Sequence, residues 1–359
     1  MPSLPSPARS PGCVHGRLST PAQPASTRVL HVVSYPRSGS SLLTSLFVKS
    51  DDALSLFEMY NEDFEFAHLN EFSLKEWEWA RHRFAREFHT SVRGWQRDHR
   101  LAALLLARKL AAARNRHWLV YKDWPPVPWV DPVLGWGSTS ALGLLVQESH
   151  DERVAVLWLR RNFWMRHVSL LKALPGGCRS AASYTNVNTT GCVVNTSVAA
   201  MADALREAMR IDALMRQLLK RSKPFGSAAS VAVLAYEEVA SLSHLAALKL
   251  VMDRLRKSFR PAGPLTFCGF PMRSNSSYTR QDSSRSLRAR VANYDELHSR
   301  WGSADAIAAE CHDTFGTPGA VWQERIVPKL AAMGWDAGRE LPRLVQECQA
   351  DHSTYALPE

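Results

Sequence analysis

Between Val29 and Ser50 the chain passes from one apolar run, through a short serine-rich stretch, into a second apolar run. The first run, VLHVV at residues 29–33, has the length and β-branched composition of a buried strand. The second, LLTSLFV at residues 42–48, is typical of a helix. Gly39 permits a tight turn between the two that a Cβ would obstruct. The stretch therefore predicts a strand, a tight loop and a helix, in that order.

The loop has the composition of an anion-binding turn. Ser38, Ser40 and Ser41 bring hydroxyl groups next to the free N–H groups at the start of the helix. Arg37 adds a fixed positive charge. The P-loop spacing G-x-x-x-x-G-K-[ST] is absent, since no Lys follows Gly39. An ordinary strand-to-helix turn stays open as the alternative, so a phosphate-binding interpretation needs a second signal elsewhere in the chain.

Further apolar runs alternate with helical patterns along the chain. Alternation of this kind predicts an α/β fold in which a central parallel sheet carries helices on both faces, with right-handed crossovers. The run at residues 154–159 is the clearest buried strand. The other predicted strands are at 53–57, 118–121 and 231–234, and the predicted helices are at 73–88, 98–114, 138–149, 163–173, 197–221 and 239–259.

The net charge of +10 over 359 residues favours a polyanionic partner, which could be nucleic acid, a phosphorylated cofactor or an acidic polysaccharide. The basic residues are scattered and no zinc-finger spacing or basic heptad occurs, so we expect no nucleic-acid partner. No run approaches 18 apolar residues, so we expect no transmembrane segment. Residues 1–27 are rich in Pro, Ser and Ala and lack acidic residues, which predicts a flexible leader or an organelle transit sequence.

The six cysteines include no C-x-x-C pair, which gives little support to a metal or redox motif. Cys178 and Cys192 bracket a loop rich in Gly, Ser, Thr and Asn that a disulfide would restrict, although unpaired buried thiols stay open as the alternative. Glycosylation sequons at Asn188, Asn195 and Asn275 agree with a secretory lumen. The compartment stays open between the Golgi or another secretory lumen, an organelle and the cytoplasm.

The second phosphate-binding signal comes from Arg161 and Ser169. They are eight positions apart and straddle the end of a predicted strand and the second turn of the next helix. A guanidinium and a hydroxyl in that arrangement can bind one anion. Two anion sites at neighbouring strand ends favour a nucleotide that carries phosphates at separated positions.

With both signals in order, the chain resembles the sulfotransferase family, closer to its carbohydrate-type, Golgi-like and bacterial-like members than to the cytosolic ones. The resemblance spans about residues 28–300 and implies a P-loop-like sulfotransferase domain there. Residues 301–359 then form a helical C-terminal extension without an assigned function, with helices predicted at 304–311, 321–333 and 339–349. The segments that carry the resemblance are Tyr35–Leu43, Leu157–Asn162 with Ser169, Tyr236–Val239 and Asn293–Leu297.

The resemblance implies 3′-phosphoadenosine 5′-phosphosulfate (PAPS) as the cofactor. Its sulfuryl group would pass to a hydroxyl or amine of an acceptor, with a carbohydrate or small molecule as the candidates, and adenosine 3′,5′-bisphosphate would leave. Arg161 and Ser169 would hold the 3′-phosphate. This chemistry requires no metal. The 5′-phosphosulfate would be held by Arg37, Ser38, Gly39, Ser40 and Ser41.

The resemblance also implies which residues would be catalytic. Charge that develops on the transferred group needs cations, and Arg37 and Lys122 are the candidates. Cytosolic members have Lys-x-His after the third strand, whereas here Trp124 stands at the position of the histidine. Carbohydrate-type members commonly use a carboxylate after the second strand, so Glu58 is the first candidate for the general base and Asp123 the second. A solvated carboxylate stays open as the alternative for Glu58.

Two other functions remain open from the sequence. A catalytically inactive member of the same fold would bind nucleotide or glycan, and the missing histidine at Trp124 keeps that hypothesis open. A P-loop-like nucleotide kinase would need the Lys that the loop lacks. The acceptor itself is not identified, and we expect the segments 60–100, 124–137 and 174–197 to contact it.

Overall fold

The computed structural model describes residues 27–35, 37–48, 52–56, 82, 100–123, 153–173, 192–221, 231–258, 286–317, 319, 322–332 and 334–358. The chain divides into two compact units. We call Met1–Tyr35, Gly39–Arg160 and Ser222–Ser277 the sheet unit, and Pro36–Ser38, Arg161–Arg221 and Tyr278–Glu359 the helical unit. The domain boundaries expected at 27/28 and 300/301 stay predictions.

The described residues of the sheet unit form one sheet whose five strands all run parallel. The order across the sheet is β2-β3-β1-β4-β5, with β1 in the centre. This confirms the α/β fold and the parallel sheet expected from the alternating pattern. The strands are β1 Arg28–Ser34, β2 Ala53–Ser55, β3 Trp118–Asp123, β4 Val154–Arg160 and β5 Val231–Ala235.

Strand β1 is buried on both sides, as its nearly continuous apolar sequence requires. Leu30 and Val32 belong to a core that also contains Phe47 of the following helix. The alternate residue His31 is also buried and stacks on Tyr121, with ring centroids 4.4 Å apart. The helices of the sheet unit are α1 Ser40–Val48, α2 Arg100–Ala113, α5 Tyr236–Ala240 and α6 His244–Ser258.

The single helix expected over 239–259 is wrong in one respect, because the chain forms two helices there. Helix α5 already begins at Tyr236, and a turn at residues 241–243 separates it from α6. The hydroxyl of Ser243 accepts a hydrogen bond from Ala246 N, which is the contact of a helix N-cap. The serine that looked like a helix-interior residue therefore starts a new helix.

The described part of the helical unit is a set of packed helices. A disulfide between Cys311 and Cys348 joins two of them, the helices Ala304–Gly316 and Ala337–Ala350. Helices predicted at 304–311 and 339–349 are confirmed, the first with a longer C-terminal end. The helices of this unit are α3 Phe163–Ala173, α4 Val198–Arg221, α7 Tyr294–Trp301, α8 Ala304–Gly316, α9 Val327–Ala332, α10 Ala337–Ala350 and α11 His352–Tyr355.

Within the described ranges, no helix combines enough length with enough apolar character to cross a lipid bilayer. Several expectations lie outside those ranges and stay predictions: the leader up to residue 26, the helix at 138–149, nearly all of the helix at 73–88, and most of the segments expected to contact the acceptor. Cys178, Asn188, Asn275 and Trp124 also lie outside them.

Candidate functional site

The carboxyl ends of β1 and β4 meet at the point where the connections of the sheet change direction. The two strands pair in parallel, with Ser34 opposite Leu159. After β1 the chain proceeds to β2, beyond β3 on one side, whereas after β4 it proceeds to β5 on the other side. In open α/β sheets such a switch point leaves a crevice outside the strand ends where ligands bind. The loop at 35–39 directly follows β1, so the fold favours it as a binding loop.

Gly39 is required in the turn for two independent reasons. Its φ of +86° lies in the left-handed region, which residues with a Cβ rarely adopt. An added Cβ would also come within 2.2 Å of the Cδ2 and Cε2 atoms of Tyr236. The turn therefore lies directly on the Tyr236 ring, at the start of the YEEV segment. No pattern in the sequence indicates that these two residues are in contact.

A buried cation from a neighbouring strand contacts the first turn of α1. Helix α1 begins at Ser40, and Leu43 N donates to Gly39 O over 3.1 Å. Lys122, near the end of β3 and only 4% exposed, donates from Nζ to Ser41 Oγ over 2.7 Å. The N-terminal end of a helix already has a partial positive charge and free N–H groups. The ammonium and these groups together make this end of α1 suited to an anion.

The structure describes only one of the two candidates for the general base. Glu58 lies outside the described residues, so its role stays a prediction. Asp123 is the last residue of β3 and is partly exposed. Successive side chains of a strand point to opposite faces, so Asp123 and Lys122 leave the sheet on opposite sides. Its role as a base also stays a prediction.

Three of the predicted phosphate ligands, Arg37, Arg161 and Ser169, contact one another within the helical unit. Arg161, directly after β4, donates from Nη1 to the carbonyl oxygen of Arg37 over 2.7 Å. Arg37 donates from Nε to Ser169 Oγ over 3.3 Å. Arg37 itself has φ +65°, a left-handed conformation that costs about 1–2 kcal/mol for a residue with a Cβ. The bond from Arg161 stabilises this conformation, and such strain is commonly found at binding sites.

Ser38 has a buried hydroxyl that lacks a hydrogen-bond partner among the described residues. The residue is completely buried, and it lies between Arg37 and Gly39 in the loop. A buried hydroxyl left without a partner costs about 1–3 kcal/mol. A ligand oxygen placed at the loop would satisfy it. The unpaired hydroxyl of Ser38 therefore fits an oxygen of a phosphate or sulfonate group.

Asn162 fixes where α3 begins. Its side-chain Oδ1 accepts hydrogen bonds from the backbone N–H groups of Trp164 and Met165, at 3.1 Å and 3.3 Å. This is the N-cap contact, and it places Ser169 in the second turn of α3. Asn162 was expected only as part of a motif. Asparagine immediately before a helical pattern was the signal that would have identified it as a cap.

His167 on α3 is a feature that the sequence reasoning missed. Burial and the neighbouring charge of Arg166 lower its pKa to about 4. Its ring stacks on Phe163, with centroids 5.4 Å apart. The imidazole is therefore neutral at neutral pH, although it lies two residues from Ser169. No sequence pattern distinguishes such a histidine from one exposed on the helix surface.

All three cysteines within the described ranges are disulfide-bonded: Cys192, Cys311 and Cys348. The partner expected for Cys192 is Cys178, which lies outside those ranges. The bond between Cys311 and Cys348 was not expected. A comparison with protein-family models and with curated proteins finds no match to this chain. The resemblance to sulfotransferases therefore depends on the motif residues alone and stays an expectation.

Proposed function

We propose that this protein is a sulfotransferase with a P-loop-like fold, which transfers a sulfuryl group from PAPS to a hydroxyl or amine of an acceptor. The observation that carries the proposal is the hydroxyl of Ser38, buried without a partner in a loop preceded by a strained arginine and followed by a glycine that excludes a Cβ. A loop with these features is suited to a tetrahedral anion. The motif resemblance then selects this nucleotide among the ligands that carry such a group.

The proposed assignment of residues to the nucleotide follows the motifs. Residues 37–41 bind the 5′-phosphosulfate through hydroxyls, backbone N–H groups and the charge of Arg37. Arg161 and Ser169 bind the 3′-phosphate. In the structure Arg37 Nε contacts Ser169 Oγ, so binding of the 3′-phosphate at Ser169 replaces or shares that hydrogen bond.

In the proposed reaction the acceptor oxygen bonds to sulfur, the bond from sulfur to the phosphate oxygen breaks, and adenosine 3′,5′-bisphosphate leaves. Lys122 donates to oxygens on which negative charge accumulates, and its contact with Ser41 holds the ammonium at the start of α1. The burial of Lys122 strengthens this electrostatic effect, because water screens the charge less. A carboxylate, Glu58 first and Asp123 second, accepts the acceptor proton.

The acceptor class we propose is a carbohydrate hydroxyl. The basic composition of the chain favours anionic ligands, and the position of Trp124 departs from the histidine of cytosolic members. The disulfide between Cys311 and Cys348 supports an oxidising compartment, where such acceptors are modified.

Calorimetric titration tests the proposed function. Adenosine 3′,5′-bisphosphate should bind the wild type at micromolar Kd, and ATP should bind at least about tenfold more weakly. Arg161→Ala should weaken the bisphosphate by about tenfold or more, because a charge-assisted hydrogen bond to phosphate is lost. Arg288→Ala is the matched control, since this exposed arginine forms an ion pair with Asp295. Equal affinity for ATP and the bisphosphate would refute the proposal and favour a kinase.

Ser38→Ala separates the binding role of the hydroxyl from a structural one. Removing a buried hydroxyl that has no partner should leave the melting temperature unchanged or raise it. The same change should weaken binding of the bisphosphate about tenfold. Ser45→Ala is the control, because that buried hydroxyl donates to Leu42 O over 2.6 Å and its loss should lower stability without changing the Kd.

A further inference from the structure

Residues 351–358, which the sequence left without a function, contact the start of α3 directly. The side-chain amide of Asn162 donates to two of their carbonyl oxygens, Ser353 O at 3.1 Å and Ala356 O at 2.9 Å. Trp164 donates from its indole N–H to Tyr355 O over 2.6 Å. We refer to these eight residues as the 351–358 segment. Three hydrogen bonds from the first turn of α3 and its cap therefore end on this segment.

Both polar atoms of the Asn162 side-chain amide form hydrogen bonds. Oδ1 accepts from the first N–H groups of α3, whereas Nδ2 donates to the 351–358 segment. The orientation of the amide is fixed, because two donors surround the oxygen and two acceptors surround the nitrogen. No other common side chain caps a helix and donates two hydrogen bonds in this way. Asn162 thus links the direction of α3 to the position of the segment.

The 351–358 segment is itself held rigidly by α4. The hydroxyl of Tyr355 donates to Asp212 Oδ2 over 2.7 Å, and both residues are at most 5% exposed. Asp351, at the beginning of the segment, forms an ion pair with Arg216. Near the other end, Tyr294 donates from its hydroxyl to Pro358 O over 3.0 Å. Held at both ends, the segment gives Asn162 a fixed pair of acceptors.

The hydrogen bonds that hold the start of α3 also affect the residues proposed to bind the 3′-phosphate. Arg161 precedes Asn162 and donates to the Arg37 carbonyl oxygen, and Ser169 lies about two helical turns beyond Asn162 on α3. A small rotation of α3 about its first turn would move Ser169 and Arg161 relative to each other. Hydrogen-bonded side chains with fixed partners prevent such rotation.

We propose that Asn162 and the 351–358 segment are positioning elements for the 3′-phosphate, which hold Arg161 and Ser169 in register to bind it. The inference rests on the proposed function, because it needs a nucleotide with a 3′-phosphate at these residues. It assigns a role in ligand selectivity to a part of the chain for which no motif predicts one.

The test compares adenosine 3′,5′-bisphosphate with adenosine 5′-phosphate, which lacks only the 3′-phosphate. Asn162→Asp keeps the oxygen that caps α3 but removes both donors to the segment. Its preference for the bisphosphate over the 5′-phosphate should fall about tenfold, and its affinity for the 5′-phosphate should change less than about twofold. The control is Gln349→Glu, which removes an amide donor to Ala308 O in the same unit and should leave the preference unchanged.

Each outcome decides the inference. Equal weakening of both nucleotides, or an unchanged preference, in Asn162→Asp would overturn it, since a structural role alone gives no selectivity for the 3′-phosphate. A wild type that shows no preference for the bisphosphate would instead overturn the proposed function, and this inference with it. Should circular dichroism show Asn162→Asp to be unfolded, Trp164→Phe removes the indole donor to Tyr355 O and provides the same comparison.

Discussion

The ammonium group of Lys122 donates a hydrogen bond to the hydroxyl of Ser41, so a cation from the third strand lies at the start of the first helix. Lysine and serine are 81 positions apart in sequence, and the pairing of β3 with β1 brings them together. The contact places a flexible side chain at the N-terminal end of α1, where an anion is also favoured. The ammonium of Lys122 thus adds positive charge to the end of α1 at which the helix dipole is also positive.

Lys122→Met should weaken binding of adenosine 3′,5′-bisphosphate about tenfold, because methionine keeps most of the side-chain volume and removes the charge. The dependence of Kd on salt concentration should become shallower in the same variant. Titrations at two salt concentrations provide both values. Lys109→Met, on an exposed position of α2, is the matched control and should change neither quantity.

Gly39→Ala should abolish measurable binding of the bisphosphate, because the added Cβ would displace either the turn or the Tyr236 ring. The left-handed φ should also cost about 1–2 kcal/mol of stability. Gly334→Ala introduces a Cβ at φ +80° elsewhere and controls for this backbone strain. Chemical denaturation and calorimetry on both variants separate the two effects. Normal affinity in Gly39→Ala would contradict the close packing of Gly39 on Tyr236.

His167 should make the protein less stable in mild acid. Its pKa is about 4 in the folded state and about 6.5 in the unfolded chain, so between these values the unfolded state binds more protons. The free energy of unfolding should therefore fall as the pH falls from 6.5 to 4, by up to about 3 kcal/mol from this group.

His167→Gln removes that titration and should flatten this part of the stability profile. Urea unfolding at pH 7 and at pH 4.5, for the wild type and for His167→Gln, measures the difference. Parallel pH profiles of the two proteins would show that His167 is not responsible.

The disulfide between Cys311 and Cys348 should stabilise the protein by about 4 kcal/mol, the value expected for a closed loop of this length. The double variant Cys311→Ser, Cys348→Ser should accordingly unfold at lower urea concentration. Because Cys192 is also disulfide-bonded, reduction of the wild type alone would not isolate this bond. Dithiothreitol should lower the urea midpoint of the wild type as well. In the double variant it should lower the midpoint only slightly.

The strands and their direction could be predicted because each depends on a local signal. Residues 154–159 form a continuous apolar run, and such a run indicates a strand buried on both faces whatever surrounds it. The order of the strands could not be predicted, since several orders satisfy the same alternation. The order places the carboxyl ends of β1 and β4 side by side, so the segments that follow these two strands begin at neighbouring positions on one edge of the sheet.

The parts of the site that the sequence missed depend on contacts between distant residues. Gly39 and Tyr236 are almost 200 positions apart, and nothing in the loop indicates which side chain packs against it. The same holds for Cys311 and Cys348, whose separation of 37 residues fits no recognised spacing. Ser243 was missed for the opposite reason, since its N-cap role was local but a continuous helical pattern hid it.

The hydrogen bonds of Asn162 have a consequence for the order in which the protein acquires its structure during translation. Asn162 and its acceptor Ser353 are 191 positions apart, so the ribosome makes the asparagine long before the carbonyl that it binds. Until then α3 has its cap but not the partners that fix its direction. A nascent chain that already contains every residue of the loop at 35–39 and of α3 would still lack the support for the proposed 3′-phosphate site. We therefore expect that site to reach its full affinity only after residues 351–358 have been synthesised and packed.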